Sequence, residues 1–409
     1  MVFLYNIIIG FFALATYLVS PFNKKARQFT AGRNGIFRKL RQSIRPGEPV
    51  VWFHAASLGE FEQGRPVMEA IKRKRPEVKI LLTFFSPSGF EIRKNYEGAD
   101  VICYLPFDLS WHARKFVTIV QPKAVYFIKY EFWPNFIIEI AKKQIPIVSF
   151  SAIFRKEQVF FHWYGAWFRS TLKKIDHFFV QNEDSKTLLQ LIDIKEVEKC
   201  GDTRFDRVFE IAKGVKELTI VSSFSANFKT VIAGSTWPAD EELLIQYINS
   251  TAIDCKFIIA PHEISESGIQ RIVSMLKVRA IRYSEALGMD LSAFKVLVVD
   301  NIGMLSSIYQ YGTVSYIGGG FGKGIHNTLE AATFGLPVIF GPNYLKFKEA
   351  VDLVDSKGAF TIQNFESLRL VLDALLQNDA MLAAASKTCK DYVSSNIGAT
   401  EKILERMPF

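Results

Sequence analysis

The sequence predicts an α/β protein made of two doubly wound, parallel-sheet domains and led by one long apolar helix. Three observations carry this prediction: two successive series of short apolar runs alternating with amphipathic stretches, a polar break between the series, and an uncharged N-terminal segment. The 409 residues are enough for two cores, and 49% hydrophobic against 22% charged residues is a globular balance. A disordered chain and a single small domain are excluded. Cys103, Cys200, Cys255 and Cys389 are scattered without a CxxC or Cys/His pairing, which argues against a disulfide framework and a zinc site and fits a reducing cytoplasm.

Residues Val2 to Ser20 read VFLYNIIIGFFALATYLVS, with no charge over about the length that crosses a bilayer as a helix. Lys24, Lys25, Arg27 and Arg33 follow the apolar run rather than precede it, so the segment reads as a retained membrane anchor with the main body on the cytoplasmic side. A hydrophobic helix docked on the protein or lying in the interface is the alternative.

In the first series, VVWFHA (50–55), ILLTFF (80–85), VICYLPF (101–107), AVYFI (124–128), PIVSFS (146–151) and HFFVQ (177–181) read as strands. Runs that are apolar on both faces and separated by helices belong to a parallel sheet covered on both sides, the Rossmann-like pattern. After the polar stretch ending in SSFSANFK, the rhythm restarts with TVIAG (230–234), KFIIAP (256–261), VLVVD (296–300), TVSYIGG (313–319) and PVIFG (337–341). The expected division is an anchor over 1–21, one Rossmann-like domain over 22–205, a second over 206–390, and a C-terminal helix over 391–409 returning to the first domain. Ligands of such sheets bind beyond the carboxyl ends of the strands, so two such domains present their sites to a shared cleft.

The chemistry concentrates after those strand ends. Gly318 to Gly324 is glycine-rich, with Gly319 and Gly320 suited to close approach of an anionic ligand, and it leads through Asn327, Thr328 and Leu329 to Glu330. A phosphate fits the loop and the carboxylate suits a ribose diol, although Asn327-x-x-Glu330 equally reads as a capping box. Lys323 is followed by Gly, so the Walker pattern is absent. Gly234, Ser235 and Thr236 end the first strand of the second series as a further backbone-rich anion site. Pro261 and His262 end the next, and Gly303, Met304 and Leu305 follow a third. In the first domain, Glu60 follows the first strand as a candidate general base, while Ser57-x-x-Glu60 is also a capping box. Glu131 follows the fourth strand beside aromatics, and Arg204 lies near the domain junction, suited to a phosphate. With neither HExxH nor DxD present, no catalytic metal is expected.

Together ASLGE (56–60), YEFWPN (130–135), GDTRFD (201–206), AGSTW (233–237), APHE (260–263), DNIGML (300–305) and GGGFGKGIHNTLEAA (318–332) resemble the 3-deoxy-D-manno-octulosonic acid (Kdo) transferases of lipid A assembly, across nearly the whole chain. The resemblance implies a GT-B fold with a membrane anchor and metal-independent, inverting transfer of Kdo from CMP-Kdo to a lipid A precursor at the cytoplasmic face of the inner membrane. It also implies roles. Glu60 becomes the base, and Glu131 and Arg204 become transition-state stabilisers, Arg204 standing where many members have Lys. Pro261, His262, Gly303 to Leu305 and Asn327 to Glu330 become CMP-binding segments. The net charge of +9 is then read as serving a phosphorylated lipid and a membrane surface, not nucleic acid. Phe154, Phe160, Phe161, Trp163, Trp167 and Phe168, interleaved with Arg155, Lys156 and Arg169, suit acyl chains or the interface, or else core. Rival readings are another GT-B sugar-nucleotide transferase or epimerase, and a non-catalytic, membrane-tethered binder of anionic lipid.

Overall fold

The computed structural model describes residues 1–406 and resolves the chain into two compact units, Met1–Arg207 with the returning segment from Ile397, and Val208–Asn396. Unit one is built on β1 (Val50–Ala55), β2 (Lys79–Phe84), β3 (Val101–Tyr104), β4 (Ala124–Ile128), β5 (Ile147–Ala152), β6 (His177–Val180) and β7 (Val197–Lys199). All pair in parallel in the order β3-β2-β1-β4-β5-β6-β7. Alternate residues of one strand enter different cores: Val50 and Trp52 of β1 join Phe116, Phe127 and Phe136, whereas Val51 and Phe53 join Phe61, Tyr126 and Ile128. Both faces are therefore covered, which is why these strands carry nearly unbroken apolar runs.

The C-terminal stretch that reads as one helix is two. The first, Asp379–Ser394, stays in unit two, and the chain turns at Gly398, whose φ of +101° lies in the left-handed region that suits glycine. The second, Ala399–Glu405, places Ala399, Ile403 and Leu404 in the core beneath the Leu58–Lys74 helix, and the Asp206 carboxylate accepts from the Gly398 and Thr400 amides at its start.

Unit two repeats the plan with β8 (Lys229–Thr236), β9 (Cys255–Pro261), β10 (Ala280–Arg282), β11 (Val296–Val298), β12 (Val314–Ile317), β13 (Val338–Phe340) and β14 (Ala359–Thr361), ordered β10-β11-β9-β8-β12-β13-β14 and parallel throughout. All four cysteines are free and buried.

The N-terminal helix, Val2–Val19, has the length and composition to cross a membrane and no fully buried residue. Tyr5, Asn6, Ile9, Ala13, Thr16 and Ser20 form a half-buried stripe at helical spacing against unit one, while Phe3, Leu4, Ile8, Phe11, Leu14 and Leu18 face outward. Arg33, read above as a juxtamembrane positive charge, is instead buried. Its guanidinium donates to the Phe29, Phe85 and Leu105 carbonyls and lies 3.7 Å from the Phe29 ring centre, and burial lowers its pKa to about 9. It ties the chain after the helix to the ends of β2 and β3 and cannot face lipid. Of the aromatic group proposed for acyl chains, Phe154 is core and Trp163 is 89% exposed.

Candidate active site

In unit one the chain runs outward in both directions from the neighbours β1 and β4, so the crevice beyond their carboxyl ends is the switch point where doubly wound sheets take ligands. Glu60 follows β1 and Glu131 follows β4, so strand order alone brings the two carboxylates to one edge. Glu60 lies in the first turn of the Leu58–Lys74 helix, 6% exposed, and its Oε2 accepts from the Ala56 amide at 2.5 Å and the Ser57 amide at 3.0 Å. The capping reading and the catalytic reading are thus not rivals: the bonds that start the helix also fix the carboxylate. Burial raises the Glu60 pKa, opposed first by the charge of Lys129, a residue held at φ +63°, and then by the amides.

Glu131 is pushed up to about 7, mainly by burial and further by the charge of Glu60. Glu60, with its amides and its lysine, is the carboxylate that ionises first, and its charge holds the proton on Glu131. His54 has no role in the sequence reading, yet it positions this loop. Its Nε2 accepts from the Trp133 indole at 3.0 Å and its Nδ1 donates to Thr83 Oγ1 at 2.9 Å, an assignment that also lets Thr83 donate to the Phe53 carbonyl. Burial lowers its pKa to about 3, so the ring stays neutral and fixes Trp133 just after Glu131. Arg204 is engaged by Asp202, through Nε at 2.9 Å and Nη2 at 2.8 Å.

Unit two has its switch point between β8 and β12. Gly234, Ser235 and Thr236 close β8, with Ser235 at φ +53°, and the glycine loop leaves β12 directly beside them. A Cβ on Gly318 would lie 2.2 Å from the Ser235 carbonyl oxygen, and one on Gly320 would lie 2.5 Å from the Gly341 amide nitrogen. Backbone cannot yield as a side chain can, so Gly318→Ala is expected to cost about 1–3 kcal/mol, read as a lower thermal midpoint of the purified protein. Asp240, missed from sequence because it resembles an ordinary helix-face acid, organises this edge. It is buried and accepts from the Gly319 amide at 2.9 Å, the Trp237 amide at 2.9 Å and the Tyr316 hydroxyl at 2.7 Å. The Gly319 amide is therefore committed within the protein.

Two further expectations change. The helix after the loop is only Leu329–Thr333, so its dipole is slight, and its N-cap is Thr328 rather than Asn327. The expected capping box is replaced by a bond from Asn327 Nδ2 to Glu330 Oε1 at 2.9 Å. Thr328 Oγ1 is buried with no hydrogen-bond partner among the described residues, an oxygen that a ligand hydroxyl or phosphate would satisfy. His262 stacks against both Trp237 and His326, with ring centres 4.7 and 4.2 Å away, and the Trp237 indole donates to His326 Nε2 at 3.0 Å. Burial first, then His262, lower the His326 pKa to about 4, so this ring is neutral at physiological pH. Gly303 holds a left-handed φ of +90°, Met304 caps the next helix, and the Leu305 methyls lie 3.0 Å from where a Cβ on Gly234 would stand. Pro261 ends β9. Among the described residues no three His, Cys, Asp or Glu side chains cluster as a metal would need.

A family model described as 3-deoxy-D-manno-octulosonic-acid transferase (kdotransferase) matches residues 30–207. The chain is 27% identical to the 3-deoxy-D-manno-octulosonic acid transferase of Aquifex aeolicus, over 82% of this chain and 88% of that protein. It is 25% identical to the protein of that name from Haemophilus influenzae, over 95% and 92% respectively. Among solved structures, the UDP-GlcNAc 2-epimerase of Neisseria meningitidis superposes with a TM-score of 0.60 at 15% identity, covering 87% of this chain and 98% of that one. MurG of Acinetobacter baumannii gives 0.55 at 12% identity, over 88% and 98%. These structural likenesses bear on fold alone.

Proposed function

Because the chain belongs to the Kdo transferase family and is a glycosyltransferase of the GT-B fold, we propose that it moves Kdo from CMP-Kdo onto a lipid A precursor, lipid IVA, with inversion. The observation that carries this reading is the pair Glu60 and Glu131 at one switch point, with environments that separate their proton affinities. Glu60, in its ionised form, takes the proton of the acceptor hydroxyl. That oxygen forms the new bond to the Kdo anomeric carbon, while the bond from that carbon to the CMP phosphate oxygen breaks and CMP leaves with the electron pair. Glu131, its pKa pushed up to about 7, keeps its proton over part of the neutral range and in that form donates a hydrogen bond to the negative charge of the sugar acid. Arg204 supports the developing charge from its seat on Asp202.

Unit two holds CMP. Gly234 to Thr236, Pro261, His262, Gly303 to Leu305, Gly319, Gly320 and Asn327 to Leu329 supply the surface, and Glu330 receives the ribose hydroxyls. The orphaned Thr328 hydroxyl and the Trp237–His262–His326 stack support this placement. The apolar N-terminal helix supports work at the inner membrane, with the catalytic body on its cytoplasmic side.

Calorimetric titration with CMP and with UDP tests the donor side. Tight CMP and weak UDP binding is expected. The reverse preference would favour another sugar-nucleotide enzyme of this fold. His326→Ala removes the acceptor for the Trp237 indole and one ring of the stack, and is expected to weaken CMP binding about tenfold or more.

A further inference from the structure

The N-terminal helix reads as a membrane element, yet the two polar residues in its first turns, Tyr5 and Asn6, both bond to the ligand edge of unit one. Tyr5 donates to Asp108 Oδ2 at 2.8 Å. Asn6 Oδ1 accepts from the Ser110 amide at 2.9 Å, and its Nδ2 lies 2.9 Å from Ser110 Oγ. Asp108 lies in the loop that leaves the carboxyl end of β3 and Ser110 opens the helix that follows it (Ser110–Val120), so the N-terminal helix is pinned at the edge where a doubly wound sheet binds ligand.

The bonds continue to the loop that carries Glu131. Asp108 caps the Pro134–Lys142 helix, accepting from the Asn135 and Phe136 amides at 3.1 Å each. Asn135 also donates to the Asp108 carbonyl at 2.6 Å, and its Oδ1 accepts from Ser110 Oγ at 2.9 Å. Glu131 stands three residues before that helix begins. The Tyr5 ring packs on Trp167 at 5.2 Å, which closes the same side. A helix serving only as a lipid anchor needs none of these polar bonds.

We propose that the start of the N-terminal helix is part of the acceptor-side site, with Tyr5 and Asn6 as positioning residues that hold Glu131 in place through Asp108 and Asn135. The inference rests on the transferase reading for its kinetic consequence but not for its structural one. A small displacement of a charge-stabilising group costs rate rather than donor binding, so the effect belongs in kcat.

The test uses the full-length protein in detergent micelles with the double variant Tyr5→Phe/Asn6→Leu, the milder Tyr5→Phe, and an outward-face control, Phe11→Ser/Leu18→Ser. The double variant is expected to lose kcat about tenfold or more with the KM for CMP-Kdo unchanged. Amide hydrogen exchange over residues 130–136 should quicken, while sedimentation with anionic phospholipid vesicles stays as in wild type. The control should do the opposite, losing vesicle binding and keeping kcat. Wild-type kcat and wild-type exchange in the double variant would overturn the proposal, as would loss of kcat in the control equal to that in the double variant. Should the double variant not fold, Tyr5→Phe decides by the same two readouts. If wild type itself transfers no Kdo, the transferase reading fails, and the exchange measurement still decides whether Tyr5 and Asn6 hold the 130–136 segment.

Discussion

Glu60→Gln is expected to lower Kdo transfer about 10²–10⁴-fold while CMP affinity and the thermal midpoint stay near wild type. The size follows from the role, because a positioned base is worth about that factor and the amide has no proton affinity with which to replace it. The selectivity follows from the geometry. Gln keeps an oxygen for the Ala56 and Ser57 amides, so the first turn of the Leu58–Lys74 helix still has its acceptor. Unit two, where CMP is proposed to bind, contains neither carboxylate. Steady-state kinetics with calorimetric CMP binding checks both halves. A fully active variant would remove Glu60 as the base, and loss of CMP binding would show that the substitution had done more than remove it.

Glu131→Gln is expected to change the shape of the pH profile more than its height. Glu131 is held near 7 by burial and by Glu60, so its proton is lost as pH rises through neutrality, and a donor role gives wild type an alkaline limb there. Gln cannot ionise and still offers an N–H, so the variant should keep part of its activity and lose that limb. The acid limb, set by protonation of Glu60, should remain. The same group has a stability signature. Its folded pKa lies above the usual carboxylate value of 4.5, so the folded state binds the proton more tightly than the unfolded one. Stability therefore falls as pH rises from about 4.5 to about 7, and the penalty is complete above that window. Glu131→Gln should accordingly raise the thermal midpoint relative to wild type at pH well above 7 and lose that advantage at low pH, a comparison that scanning calorimetry makes directly.

The sequence predicts the interior of both sheets closely, and the strands it misses share one property. β1 and β4 match their apolar runs residue for residue, because a strand covered on both faces has no position where a polar side chain is cheap. β7, β10 and β14 leave no such run. Each is a three-residue strand at an edge of its sheet, and Glu198, Lys199 and Arg282 sit where a central strand would be apolar.

Site residues divide along a similar line. Glu60, Glu131 and the glycine loop are visible because each follows a strand. Their grouping depends on β1 lying beside β4 and β8 beside β12, which is a property of topology rather than of local spacing. Asp240 was hidden because its importance comes from Gly319 and Tyr316, distant in the chain. His54 was hidden inside an apolar strand for the same reason, its partner Trp133 lying 79 residues away. Arg33 misled because a basic residue just after an apolar run looks like a membrane-facing charge, whereas three carbonyls and the Phe29 ring hold it inside.

The most direct measurement is incubation of the purified, detergent-solubilised protein with CMP-Kdo and a tetra-acylated lipid A precursor, with the products weighed by mass spectrometry. A product heavier by one or more Kdo units, formed by wild type and not by Glu60→Gln, is the expected result and also counts the units added. An intact, CMP-binding protein that leaves the precursor unchanged would contradict the proposed reaction.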